Sequence, residues 1–169
     1  MKRWLKRIGI ALLLLAVLLA GAAVVGAFTP RHHTASSTIA VALSSEAVWA
    51  LISDFEGSAS WRPDVDSVRR LADRGGLAAY EEQGEFGPIR YVVEEEVAPT
   101  RLVTRIVDNS DFGGTWTYLI EPTAQGCQLT ITEQGEIHNP MFRFLARYVF
   151  GYDGTIKGYL ESIAHTGRD

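Results

Sequence analysis

The sequence predicts an α+β domain with helices packed on one face of a curved antiparallel sheet, preceded by an apolar N-terminal helix. Three observations carry this. Apolar and polar residues alternate in seven short segments between residues 37 and 137, the period of half-buried strands. From Val65 onward the segments are joined by short polar turns, and these favour antiparallel neighbours because a parallel pair needs a crossover of about a dozen residues or more. A last stretch, from about Met141 to Ala164, spaces its apolar side chains by three and four, as an amphipathic helix does. One strand, one or two short helices, six strands and a long helix, in that order, place the helices in a layer on the sheet.

The first thirty residues stand apart. Lys2, Arg3, Lys6 and Arg7 precede an uncharged run from Ile8 to Phe28 rich in Leu, Ala and Val. As a helix this run reaches roughly 30 Å, the hydrocarbon thickness of a bilayer. Residues 1–28 are therefore expected to be a single membrane span. Small residues at Val25–Ala27 also suit a signal peptidase, so a secreted domain released by cleavage is the alternative; the run exceeds the usual signal core of about 7 to 15 residues. The basic flank should stay in the cytoplasm and send the rest outside. "TPRHHTASS", Thr29–Ser37, reads as a polar tether, giving a linker at 29–35 and a domain at 36–169. His32 and His33 in it have no further ligand at metal-binding spacing and read as solvated linker residues.

The domain opens on a strand in "STIAVAL", where Ile39, Val41 and Leu43 alternate with small or polar residues. Ser44 or Ser45 can cap the helix "SEAVWALISDF", whose Val48, Leu51, Ile52 and Phe55 form one stripe. "EGSASWRPDV" holds a single helical turn around Trp61, which Pro63 ends. Six strands follow, in "VDSVRRL", "LAAYEEQ", "IRYVVEEEVA", "PTRLVTRIVD", "TWTYLIEPT" and "CQLTITEQGEI", with turns at "DRGG", "GEFGP", "NSDFGG" and "AQG". Asn139 caps the final helix and Pro140 takes its first position, where a missing N–H costs little. Gly151, Gly154 and Gly158 interrupt that helix. Each weakens it by about 0.8 to 1 kcal/mol relative to Ala, which points to close packing on the sheet or to a helix able to yield.

Charge and cysteine usage exclude some functions. Four of the sixteen Lys and Arg lie in the N-terminal segment, leaving twelve against twenty acidic side chains, a net of about −8 for the remainder. No basic stripe is present to displace counterions from phosphates, so a nucleic-acid partner is not expected. Cys127 is the only cysteine, so no intrachain disulfide can form and the core must hold the domain unaided. CxxC, HExxH, GxSxG, P-loop and GxGxxG patterns are all absent, and neither a metal nor a cofactor is expected.

The order of elements, together with "AVWALISDFEGSASWRPDV", "GGTWTYLIEP" and "TITEQGEIHNPMFRFLARYVFG", resembles the START-like SRPBCC superfamily, most closely its polyketide cyclase/dehydrase-type branch. The resemblance runs from residue 36 to about 165. It implies a helix-grip fold, in which about seven antiparallel strands wrap the C-terminal helix and leave a hydrophobic cavity between them. The N-terminal span is an addition to that pattern and points away from a cytosolic biosynthetic role.

Strand alternation then proposes which side chains face such a cavity. Trp61 from the short turn, Tyr80, Trp116 and Tyr118 from the sheet, and Phe142, Leu145 and Val149 from the last helix are expected to border one continuous apolar pocket, with solid core as the alternative for the aromatics. Glu133 continues the apolar row of Leu129 and Ile131. A carboxylate there is either paired, with Arg90 or Arg105 as candidates on neighbouring strands, or stands at the cavity rim in water. Glu136 reads as surface. His138 invites a general-base reading but sits in a polar turn with no nucleophile placed beside it. Three functions remain open: a membrane-tethered binding domain for a lipid- or isoprenoid-like molecule, a cyclase/dehydratase-like enzyme acting through a group such as Glu133, and a filled scaffold.

Overall fold

The computed structural model describes residues 2–84 and 87–166. Helix α1 spans Lys2–Phe28. Strand β1 (His32–Val41) leads to α2 (Ser45–Ser53) and a single 3-10 turn at Ser58–Ser60. Strands β2 (Val65–Arg74), β3 (Leu77–Gly84), β4 (Ile89–Val97), β5 (Arg101–Val107), β6 (Phe112–Thr123) and β7 (Gly126–Ile137) follow. The chain closes with α3 (Pro140–Leu145), a π-turn at Ala146–Phe150, and α4 (Gly154–Thr166).

The seven strands form one sheet in the order β1-β7-β6-β5-β4-β3-β2. Every adjacent pair is antiparallel, as short turns require. The meander runs from β2 to β7, and β1 returns to pair with β7. The caps expected from sequence are made: Ser44 accepts a hydrogen bond from the Ala47 amide at 3.2 Å, and Asn139 from that of Met141 at 2.9 Å. The turn expected at 84–88 lies partly outside the described residues.

The core sits between the inner face of the sheet and two helices. Leu102, Ile120, Leu129 and Ile131 from the strands meet Val48 of α2 and Ile156 and Ile163 of α4, all essentially without solvent exposure. Each such side chain contributes about 1.5–3 kcal/mol of transfer free energy. The stripe on α4 is completed by Tyr159 and Leu160.

Three expectations are corrected. Strand β1 begins at His32, not near Ser37, and its first residues pair with Glu136, Gly135 and Gln134, so most of the supposed linker is sheet. The alternation of Ile39 and Val41 continues backwards through Ser37, Ala35 and His33, but small side chains hide it. The long C-terminal helix is two helices. Gly151 adopts a φ of 79°, which breaks the helix where a side chain would be strained. The other two glycines do not serve close packing, since a Cβ at Gly154 or Gly158 would meet nothing within 4 Å.

Candidate ligand-binding interior

The strand register turns one row of large polar and aromatic side chains inward. Tyr80 lies opposite Tyr91 and Thr104 opposite Trp116, while Trp116 in turn lies opposite Glu133. Tyr159 of α4 descends into this row, its ring 5.6 Å from that of Tyr118 and 6.1 Å from that of Trp116. Trp61, at the end of the 3-10 turn, closes edge-on against Tyr159 at 5.3 Å. Phe55 covers Tyr80 at 4.5 Å.

Two acidic groups are set in these aromatic walls. Glu82 shares the inner face of β3 with Tyr80, and Arg62, delivered by the segment that Pro63 stops, meets it with two hydrogen bonds of 2.7 and 3.1 Å. The pair is mostly buried, at 13% exposure for Arg62 and 15% for Glu82. The Arg62 guanidinium also donates to Asp64 at 2.8 Å and lies 5.0 Å over the Tyr159 ring. Burial opposes its charge, but the hydrogen bonds and charge of Glu82 outweigh burial, so its pKa lies above the ordinary arginine value. Arg62 Nε is buried with no hydrogen-bond partner among the described residues. Burial also raises the phenol pKa values of Tyr91, Tyr118 and Tyr159, so these hydroxyls stay neutral and can donate.

The second group is Glu133. Its Oε1 stands 3.8 Å from Nε2 of His33, whose ring stacks on Tyr152 at 4.2 Å. Gly135 makes room for that ring, since a Cβ there would fall 2.4 Å from it. Burial raises the Glu133 carboxyl pKa, partly offset by hydrogen bonding from Trp116. Burial, helped by neighbouring His32, lowers that of His33, whose Nδ1 is buried without a partner among the described residues. A carboxyl that holds its proton longer than usual therefore faces an imidazole that gives its proton up sooner.

Two open recesses lie at the edges of this interior, and neither is lined by Trp116, Tyr118 or Tyr159, which pack in the core, so among the described residues the expected single continuous pocket is not formed. One, of about 310 Å³, is lined by Trp61, Arg62, Pro63, Ser162 and His165. The other, of about 280 Å³, touches Tyr80 and Tyr91 and extends along Arg74 and Asp108. Among the described residues no three His, Cys, Asp or Glu side chains converge as metal ligands.

The structure gathers Trp61, Tyr80, Trp116, Tyr118 and Glu133 of the residues singled out from sequence, and separates the others from them. Phe142 and Val149 are largely solvent-exposed, and α3 packs on α1, so with Leu145 they do not continue the wall under α4. The arginine partnership expected for Glu133 is also corrected. Arg90 donates to Glu81 at 2.7 Å and Arg105 to Glu94, both on the outer face of the sheet. Reading the register one residue at a time explains this: Thr104 and Tyr91 point inward, so their neighbours Arg105 and Arg90 cannot. Glu136 is half-buried between His32 and His138. Sequence reasoning missed Arg62, Glu82, Tyr91, Tyr159, His33 and Tyr152. A signal existed for Glu82, because a strand that turns Tyr80 inward turns Glu82 inward too.

With this geometry in hand, comparison with known proteins is informative. The sequence profile described as "Polyketide cyclase / dehydrase and lipid transport" matches residues 32–161. No curated protein sequence matches the chain. Among solved structures it is similar to a START superfamily protein from Mycobacterium smegmatis, with 20% identity, a TM-score of 0.66, and coverage of 80% of this chain and 97% of that one. It is similar also to the Zhui aromatase/cyclase from Streptomyces sp. R1128, at 14% identity and a TM-score of 0.62, covering 81% and 94% of the two chains. Norcoclaurine synthase from Thalictrum flavum gives 11% identity and a TM-score of 0.63 over 80% and 92%. Identities at this level speak for the fold alone, and that fold is the START helix-grip. The match over most of the sequence settles the wider question: the chain belongs to the polyketide cyclase/dehydrase and lipid transport family.

Proposed function

We propose that this protein is a membrane-tethered binding domain for a hydrophobic or amphiphilic small molecule, lipid- or isoprenoid-like, held in the aromatic interior with its polar end at Arg62. The observation that carries this reading is the buried Arg62–Glu82 pair. It holds a fixed cation whose Nε has no hydrogen-bond partner among the described residues, set near Trp61, Tyr91, Tyr118 and Tyr159, where a ligand's polar group would be oriented by few contacts and its apolar part by aromatic faces. A recess of about 310 Å³ at Trp61 and Arg62 is at the small end of ligand sites and suits a compact ligand or one end of a longer one. The tether is supported by a helix, Arg3–Phe28, that is long and apolar enough to cross a bilayer and carries its basic residues at one end.

Native mass spectrometry of the full chain released from nanodiscs made with its own host lipids tests the reading. A discrete bound mass is expected on the native protein and is expected to vanish in Tyr159→Ala. A chain that emerges free of any bound molecule under these conditions overturns it. The same spectrum reports whether residues 1–28 are retained.

A second reading, an enzyme of the cyclase/dehydratase type, is favoured by one observation, the opposed pKa shifts of Glu133 and His33 across 3.8 Å. Such a pair can give and take one proton. Turnover of an aromatic or polyketide-type substrate that is lost in Glu133→Gln, with binding retained, would establish it in place of the first.

A further inference from the structure

The end of α1 is not a loose tether. Gly26 is packed so tightly on α3 that a Cβ there would lie 1.8 Å from the carbonyl oxygen of Pro140. Thr29, buried, folds its hydroxyl back to the Val25 carbonyl at 3.0 Å. Arg143 of α3, 5% exposed, donates to the Thr29 carbonyl at 2.9 Å across 114 residues of sequence. The span therefore ends clamped against α3, and its direction fixes where α3 and the π-turn lie.

Among the described residues, that segment holds most of the exposed large apolar side chains outside α1. Phe142, Tyr148, Val149 and Phe150 are 44–70% exposed, and Phe28, the last residue of α1, is 87% exposed. The Phe144 ring lies tilted against that of Tyr148, with centroids 5.3 Å apart. Arg147, also exposed, stands among them. Aromatic rings with an arginine at the end of a membrane span have the composition of a bilayer interface, where rings sit at headgroup depth and a guanidinium meets lipid phosphates.

We infer that Pro140–Phe150 is a second membrane-contact element, lying in the interfacial layer of the bilayer that α1 enters and holding the domain against the lipid surface. The inference rests on the membrane-tethered reading. The occupant of the exposed face is that bilayer, because α1 carries the chain into it directly beside Pro140. Amphipathic interfacial segments bury their apolar side about 5–10 Å into the headgroup and acyl boundary. The segment runs on into Tyr152, whose ring covers His33 and lies under Arg147, so the docked face adjoins the Glu133 end of the interior.

The test uses the full chain in phosphatidylcholine–phosphatidylglycerol vesicles, with a polarity-sensitive thiol probe at one of three positions: Leu15→Cys in the middle of α1, Phe150→Cys in the π-turn, and Leu119→Cys on the far side of the sheet. Cys127 is fully buried and needs no replacement. Quenching by lipids carrying a doxyl group near the headgroup or deep in the chain reads depth. At Leu15 the deep quencher should dominate, at Phe150 the shallow one, and at Leu119 neither should act. Adding Phe142→Asp and Val149→Asp should drop quenching at Phe150 to the Leu119 level. Quenching at Leu15 with none at Phe150 overturns the inference and leaves the tether standing, whereas no quenching at either position removes both. Quenching at Phe150 that survives both aspartates overturns the role given to the apolar surface.

Discussion

Glu82 and Glu133 face the same interior, and each side chain is 15% exposed. Glu82 receives two hydrogen bonds from Arg62, whereas Glu133 has His33 at 3.8 Å and, among the described residues, no arginine. Equal burial thus leads to opposite electrostatics. An arginine cannot give up its proton inside a protein, so the first site keeps a fixed cation. The imidazole beside the second can, so that site adjusts by moving a proton rather than by holding a charge. The difference comes from the backbone: a proline-stopped turn brings a long cation over β3, while the first residues of β1 bring only a short ring over β7. One site is suited to orienting a ligand, and the other to responding to pH.

The largest effect expected from this contrast is at the fixed pair. Removing one partner of a buried ion pair strands the other and typically costs about 3 to 5 kcal/mol. Arg62→Met and Glu82→Gln should each lower Tm strongly, and the double substitution should cost less than their sum, because neither charge is then left alone. Chemical denaturation of the four proteins measures this. Additive losses would mean that the two side chains do not pair, and would remove the anchor point proposed for the ligand.

A smaller effect, visible only against pH, is expected at Glu133 and His33. The carboxyl pKa is raised above 4.5, so its contribution to stability is full below that value and is lost as pH rises through the folded value. The imidazole pKa is lowered below 6.5, so its contribution is full above that value and is lost as pH falls through the folded one. The two slopes have opposite signs, the carboxyl's beginning at pH 4.5 and running upward, the imidazole's ending at 6.5. Glu133→Gln should remove the first slope, keep stability at pH 8 within about 0.5 kcal/mol of native or above it, and expose the loss in acid. His33→Gln should do the reverse. Thermal melts from pH 4 to 8 decide it, and a Glu133→Gln protein as damaged at pH 8 as Arg62→Met would show that Glu133 has a cation after all.

Most of the architecture was legible because it rests on periodicity. The β2–β7 alternation, the short turns, the caps at Ser44 and Asn139 and the stripe of Ile156, Leu160 and Ile163 are local signals, and each survived folding. What was not legible depends on contacts distant in sequence. His33 looks like linker until β7 is seen to pair with it a hundred residues away. The stripe through Phe142, Leu145 and Val149 is apolar for a reason that periodicity cannot reveal, since the partner of α3 is α1 and not the sheet. Gly151 carried the break between α3 and α4, but three glycines in eight residues did not say which of them turns. Arg62 was hidden by its setting, a single charged residue in an irregular turn whose direction no period determines.

The smallest effect is expected on the outer face, and it tests the register on which the contrast between the two carboxylates depends. Arg105 pairs with Glu94, and Arg90 with Glu81, which it shares with Arg69. Glu81 is only 6% exposed, but what covers it is its two arginines, themselves 49% and 65% exposed, and not protein interior. Water therefore screens these pairs, and exposed ion pairs add little to stability. Arg105→Met and Arg90→Met should leave Tm and ligand retention unchanged, because Glu94 remains in solvent and Glu81 keeps Arg69. Neither substitution should show any coupling to Glu133→Gln in a double-mutant cycle. Coupling between Arg105 and Glu133 would require β5 to be shifted by one residue, turning Arg105 inward and Thr104 out, and the inner row of Tyr91, Trp116 and Tyr118 would then lose its common face.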